Sequence, residues 1–110
     1  MPRFSANLST MFQEHDLLDR PRAASEAGFR CVEMQFPYDH DIKDLAATLN
    51  EFSLALSVLN VPCGDFGGGG EGISAIPGKT GDFRDAVALA KRYADVLRPL
   101  NVNVLAGAPA

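Results

Sequence analysis

Four polar side chains, Asn7, Glu33, Gln35 and Asn60, stand near the points where apolar, extended runs give way to loops. An amide offers a donor and an acceptor together, and a carboxylate accepts hydrogen bonds or takes up a proton. Such groups suit the hydroxyls and carbonyls of a small polar molecule. Asp65, in the loop after Asn60, adds a second carboxylate. Each also has a plainer reading. Glu33 can pair with a basic neighbour such as Arg3, and Asn7 and Asn60 can be loop amides that satisfy nearby backbone.

Other chemistry-bearing residues fit worse. Gly67 to Gly70 is a glycine run that could cradle a phosphate, and Gly78-Lys79-Thr80 matches the end of a P-loop. The full pattern needs a glycine where Ile73 stands, and Gly72 is one residue too far. A flexible lid or surface loop fits this stretch better. His15 and His40 are too isolated for a histidine-rich metal site. His40 lies between Asp39 and Asp41, which read as solvated residues at a helix start. Cys31 and Cys63 read as free thiols of a reducing compartment.

The elements that hold these residues follow from periodicity and punctuation. The 110 residues are one domain's worth, 1–110. A net charge of −4 without a basic stripe argues against a nucleic-acid surface. No apolar run is long enough to span a bilayer, and a cytoplasmic location is expected. Arg3 to Leu8 alternates Phe4, Ala6 and Leu8 against Ser5 and Asn7, as a strand does. A helix runs from near Pro21 to a stop at Gly28. Cys31 to Phe36 is a second strand, with Glu33 and Gln35 on one face and Val32, Met34 and Phe36 on the other. Ile42, Leu45, Ala46, Leu49 and Phe52 mark a helix with one apolar stripe. Leu54 to Val61 is an apolar strand closed by Asn60. Phe83, Val87, Ala90, Ala94 and Leu97 mark a third helix, capped by Thr80 or Asp82 and followed by Pro99. Asn101 to Gly107 is a fourth strand. The fold class is α/β, four parallel strands alternating with three helices.

FSANLS, AGFRCVEMQFPYD, LNVPCGDF, the IPG preceding FRDAV, and NVNVLAG occur in order along the chain. Together they resemble the hydroxypyruvate isomerases, members of the xylose-isomerase-like group of TIM (β/α)8 barrels. Family members are more than twice as long, so the resemblance implies an N-terminal half-barrel. It implies a reaction in which a proton moves between adjacent carbons, converting hydroxypyruvate to tartronate semialdehyde. A glutamate pair and a divalent metal, Mg or Mn, would serve that reaction from the second half of the barrel. Those glutamates have no counterpart here, so the chain alone is expected to be inactive, with no catalytic or metal-binding residue of its own. Where the family tends to carry Gly-Glu-Arg-Gly, this chain has Glu71 in the arginine's place, so the resemblance implies that any anion contact made by that arginine would be lost.

In a barrel of this kind chemistry sits at the C-terminal ends of the strands. The resemblance therefore makes Asn7, Glu33, Gln35, Asn60 and Asp65 the candidate contacts to a small hydroxy or keto acid. Gly107 is expected at the end of the fourth strand. The alternative is a non-catalytic half-barrel that binds a small metabolite or a partner chain. A flavodoxin-like open sheet is disfavoured, because no phosphate-binding fingerprint follows the first strand. Two raw sheet edges, with Leu56, Val58 and Leu105 facing the missing strands, point to a homodimer or to a complementary C-terminal half as partner.

Overall fold

The computed structural model describes residues 3–64, 73–74 and 76–106. Asp65, Gly67 to Gly70, Glu71 and Gly107 lie outside the described residues. Five short strands and three α-helices follow in the order β1 (Ser5–Asn7), α1 (Arg20–Glu26), β2 (Cys31–Glu33), α2 (Ile42–Glu51), β3 (Ala55–Leu56), β4 (Val58–Asn60), α3 (Thr80–Leu97) and β5 (Asn101–Asn103). All pairings are parallel: β1 with β2, β2 with β3, and β4 with β5.

The third strand expected from the sequence is present but broken. Leu56 and Leu59 are buried, whereas Ser57 reaches Ser5 and Val58 lines the opposite, open face. Two consecutive residues thus point the same way, which is the signature of a bulge. It splits the strand into β3 and β4. The amide of Met34 donates to the Val58 carbonyl at 3.2 Å, and that of Asn60 to the Gln35 carbonyl at 3.0 Å, so the sheet continues past the break. Leu56 therefore packs under the helices at 3% exposure and does not face the missing strands. Val58 and Leu105 do line the open face, as expected.

One face of the sheet carries the core. Ala6, Leu8, Val32, Met34, Leu56 and Leu59 are buried there together with Leu45 and Leu49 of α2 and Ala86, Ala90 and Leu97 of α3. Burial of each large aliphatic side chain contributes about 1.5–3 kcal/mol. The opposite face is small and polar, with Ser5, Asn7 and Glu33 at alternate positions.

Helix ends follow local chemistry. The Asp41 carboxylate accepts from the amides of Lys43 at 2.8 Å and Asp44 at 3.3 Å, capping α2. Gly28, at φ +98°, ends α1, and the Phe29 amide behind it returns to the Ala24 carbonyl at 3.0 Å. Only glycine adopts that conformation without strain. α3 begins at Thr80 without a side-chain cap; the Thr80 hydroxyl donates instead to the Pro77 carbonyl at 3.3 Å. The expected caps Thr80 and Asp82 thus lie inside the helix, because a 3-10 turn over Pro77–Lys79 leads directly into it.

A tyrosine pair ties the loop after β2 to its neighbours. The Tyr38 and Tyr93 rings meet edge to face, with centroids 4.9 Å apart. Tyr38 donates its hydroxyl to the Asn60 carbonyl, and Tyr93 donates to the His40 carbonyl at 2.7 Å. Burial, and secondly the neighbouring Tyr93, push the Tyr38 hydroxyl up to about 12.

Two outcomes are expected. Asp41→Ala removes both capping bonds and lowers stability by about 0.5–2 kcal/mol in urea unfolding. In Tyr93→Phe, absorbance near 295 nm reports Tyr38 alone, since the chain has 2 tyrosines. Its ionisation remains above the ordinary value of about 10 because burial persists. The raised value favours the neutral form in the folded state. That contribution to wild-type stability is complete below pH 10 and lost as pH rises towards 12. A Tyr38 that titrates at its ordinary value would show that the ring is solvated.

Candidate functional site

Parallel strands deliver their C-terminal ends to one edge of the sheet, and the polar residues gather there. Asn7 at the end of β1 is in register with Glu33 at the end of β2, and Asn60 at the end of β4 with Asn103 at the end of β5. Glu33, Gln35, Asn60 and Asn103 line one open groove of about 630 Å³, with Met34, Val58, Val102 and Leu105 as its apolar part.

The groove floor is held by backbone. The Asn60 amide donates to Gln35 and its carbonyl accepts from Tyr38, while the Val61 amide donates to the Asn103 carbonyl at 2.8 Å. Asn103 Nδ2 donates to Asn60 Oδ1 at 3.2 Å. The Asn60 donor and the Asn103 acceptor have no further partner among the described residues. An adjacent hydroxyl and carbonyl on one small molecule would satisfy such a pair. Glu33 is half-buried beside it and makes no ion pair with Arg3 among the described residues.

Asn7 does something else. Its Oδ1 accepts from the Ser9 amide at 2.9 Å, so it shapes the loop after β1 and is absent from the groove lining. Ser9 Oγ in turn accepts from the Gln35 amide at 2.8 Å, which fixes this loop against β2. A second groove of about 730 Å³ lies between the loops after β1 and β2, lined by Ser9, Asp16, Arg20, Gln35 and His40 among others. Gln35 borders both grooves. Arg20 braces the second one, donating to the Leu8 carbonyl at 2.7 Å and the His15 carbonyl at 2.9 Å. Asp65 lies outside the described residues.

The sequence reading did not include Asn103. A strand drawn through to Gly107 moves its C-terminal end past this residue; the observed β5 stops at Asn103, directly beside Asn60. The alternating Asn-Val-Asn pattern was the available signal, since both asparagines had to share a face.

The donor set does not fit a divalent cation. Glu33 is the sole carboxylate among the described groove residues, and no group of three His, Cys, Asp or Glu converges among the described residues. A cation of the Mg or Mn type takes several oxygen ligands, so these residues alone do not hold one. Cys31 and Cys63 are free, half-buried thiols.

No family model matches the chain. Individual proteins do. It is 48% identical over 107 residues to a hydroxypyruvate isomerase of Escherichia coli K12, covering 97% of this chain and 42% of that protein. It is 44% identical to a 2-oxo-tetronate isomerase of Cupriavidus necator, over 97% of this chain and 41% of the relative. A putative hydroxypyruvate isomerase of Homo sapiens is 41% identical over 96% of this chain and 38% of its own length. Among solved structures, an AP endonuclease, family 2, from Brucella melitensis superposes with a TM-score of 0.91 at 45% identity, over 97% of this chain and 42% of that one. The chain spans about two-fifths of the length of these proteins. Over 97% of its length the chain is thus similar to an N-terminal part of the hydroxypyruvate and 2-oxo-tetronate isomerases, and it has the α/β fold of the first part of a TIM barrel.

Proposed function

We propose that this chain supplies the hydroxyl- and carbonyl-binding wall of an isomerase acting on short 2-oxo acids that carry a neighbouring hydroxyl. Hydroxypyruvate and 2-oxo-tetronate, the compounds named by the relatives, share that grouping. The observation that carries the reading is the juxtaposition of Glu33, Asn60 and Asn103 in one groove at the strand ends. Isomerisation moves a proton from the hydroxyl-bearing carbon to the adjacent carbonyl carbon, while the hydroxyl proton passes to the former carbonyl oxygen. In this chain Gln35, Asn60 and Asn103 orient the two oxygens, and Glu33 accepts a hydrogen bond from a substrate hydroxyl. The proton-transferring glutamates and the divalent cation belong to the remainder of the barrel.

No basic side chain lines the groove among the described residues. The substrate carboxylate is therefore held from outside it, in keeping with Glu71 where the family carries arginine. The same lack of basic residues, with the net charge of −4, favours a small oxo acid over a nucleic-acid backbone, although the structural neighbour is named an AP endonuclease. A cytoplasmic setting, consistent with two free thiols, and closure of the barrel by a second copy or a complementary half complete the proposal.

In solution the chain alone is expected to show no turnover of hydroxypyruvate. Millimolar hydroxypyruvate or 2-oxo-tetronate should still shift the side-chain amide resonances of Asn60 and Asn103, and a DNA duplex carrying an abasic site should not. Turnover that survives purification and stops on adding EDTA would sink the half-barrel reading. Shifts produced by the duplex alone would favour the endonuclease reading.

A further inference from the structure

The peptide unit that follows Asn60 is strung between two neighbours. On one side the Asn60 carbonyl accepts from the Tyr38 hydroxyl; on the other the Val61 amide donates to the Asn103 carbonyl at 2.8 Å. The first of these bonds stands where a backbone bond is missing. The Asn60 amide donates to the Gln35 carbonyl at 3.0 Å. In a parallel ladder the carbonyl of that same residue next accepts from the amide two positions further along the partner strand. That position is Pro37, which has no amide hydrogen. A 3-10 turn over Pro37–Asp39 then brings the Tyr38 hydroxyl to the carbonyl that lacks its ladder donor.

Tyr38 is itself held. The Tyr93 ring of α3 packs edge to face on it, and the Tyr93 hydroxyl donates to the His40 carbonyl at 2.7 Å and lies 3.3 Å from the Tyr38 carbonyl. Packing alone would be served by a phenylalanine, whose ring fills the same space. Among the described residues, the Tyr38 hydroxyl has the Asn60 carbonyl as its partner.

We propose that Tyr38 is a positioning residue of the groove: its hydroxyl replaces the ladder donor that Pro37 lacks and so fixes the direction in which Asn60 presents its side chain. The inference rests on the groove reading above. With the Asn60 amide tied to Gln35 and the peptide beyond it tied at both edges, the backbone on either side of the Asn60 Cα is set. Asn60 Oδ1 then meets Asn103 Nδ2 at 3.2 Å, which leaves the Asn60 donor and the Asn103 acceptor for the oxygens of a small oxo acid. Tyr38 is not part of the groove lining and acts through Asn60.

Tyr38→Phe keeps the ring and removes only the hydroxyl. Thr48→Val is the matched control, because it removes another hydroxyl-to-carbonyl bond, Thr48 to Leu18 at 3.2 Å, away from the groove. Side-chain amide resonances are recorded without ligand and then with hydroxypyruvate or 2-oxo-tetronate. Tyr38→Phe should move the Asn60 and Asn103 resonances of the ligand-free chain towards those of free asparagine. It should also weaken binding about three- to tenfold, the worth of one hydrogen bond. Thr48→Val should leave both resonances in place and binding within about twofold of wild type. In the wild-type chain the Asn60 carbonyl carbon should resonate downfield, as a hydrogen-bonded carbonyl does, a check that needs no variant. An unbonded position for that carbon, resonances or affinity unmoved by Tyr38→Phe, or equal effects of Thr48→Val would each overturn the proposal. A wild-type chain whose asparagine pair depends on Tyr38 but responds to neither oxo acid would count against the proposed function and leave the positioning of Asn60 standing.

Discussion

Ser57 donates its amide to the Val32 carbonyl at 2.7 Å and its hydroxyl to the same oxygen at 3.2 Å, while its Oγ meets Ser5 Oγ at 2.9 Å. Three strands are joined at this one residue. Because Ser57 and Val58 both face the open side, the alternation resumes one residue out of phase, and Leu59 and Val61 return to the core while Asn60 turns into the groove. A slip of one residue reverses every side chain beyond it. Without the bulge Asn60 would lie under the helices, where an unpaired amide costs about 1–3 kcal/mol, and Asn103 would have no partner. The groove depends on that break.

Much of this was legible in the sequence, for physical reasons that can be named. Helix α2 announces itself because Leu45 and Leu49 share a stripe with Ile42 and Phe52, and Asp41 is a good capping residue. Gly28 marks a left-handed turn. Glu33 and Asn60 lie at the same end of the sheet because parallel strands leave no other arrangement. The bulge was not legible. Leu54 to Val61 is apolar nearly throughout, so no alternation betrays a phase change, and Leu56 was assigned to the wrong face for that reason. Asn103 was missed because an apolar run continues past it to Ala106, although pairing with β4 ends at Asn103. Of the helix-start acids, Asp41 is the cap: its carboxylate accepts from the Lys43 and Asp44 amides.

The two faces of the sheet differ in what they leave exposed among the described residues. The polar face is open and only partly paired, with Asn103 Nδ2 bonded to Asn60 Oδ1 and the strand ends pinned by Tyr38 and Ser9. The helix-side face is satisfied over β1 to β4 and bare over β5. Leu100, Val102 and Val104 are about half exposed on average, so covering them would be worth roughly 2–5 kcal/mol. Strand β5 thus carries Asn101 and Asn103 in register with Val58 and Asn60, and Val102 in register with the buried Leu59.

Hydrogen exchange along β5 tests this account most directly. In a parallel ladder alternate amides face the neighbouring strand. The Asn101 amide donates to the Ser57 carbonyl at 3.0 Å, and the register places Asn103 likewise towards β4, with Val102 and Val104 facing the open edge. In dilute solution of this chain alone, Asn101 and Asn103 should be protected and Val102 and Val104 should exchange at nearly the rate of an unstructured peptide. Protection of Val102 and Val104 equal to that of Asn101 and Asn103 would contradict the account, because the edge would already be paired and β5 would not be the open boundary of this fold.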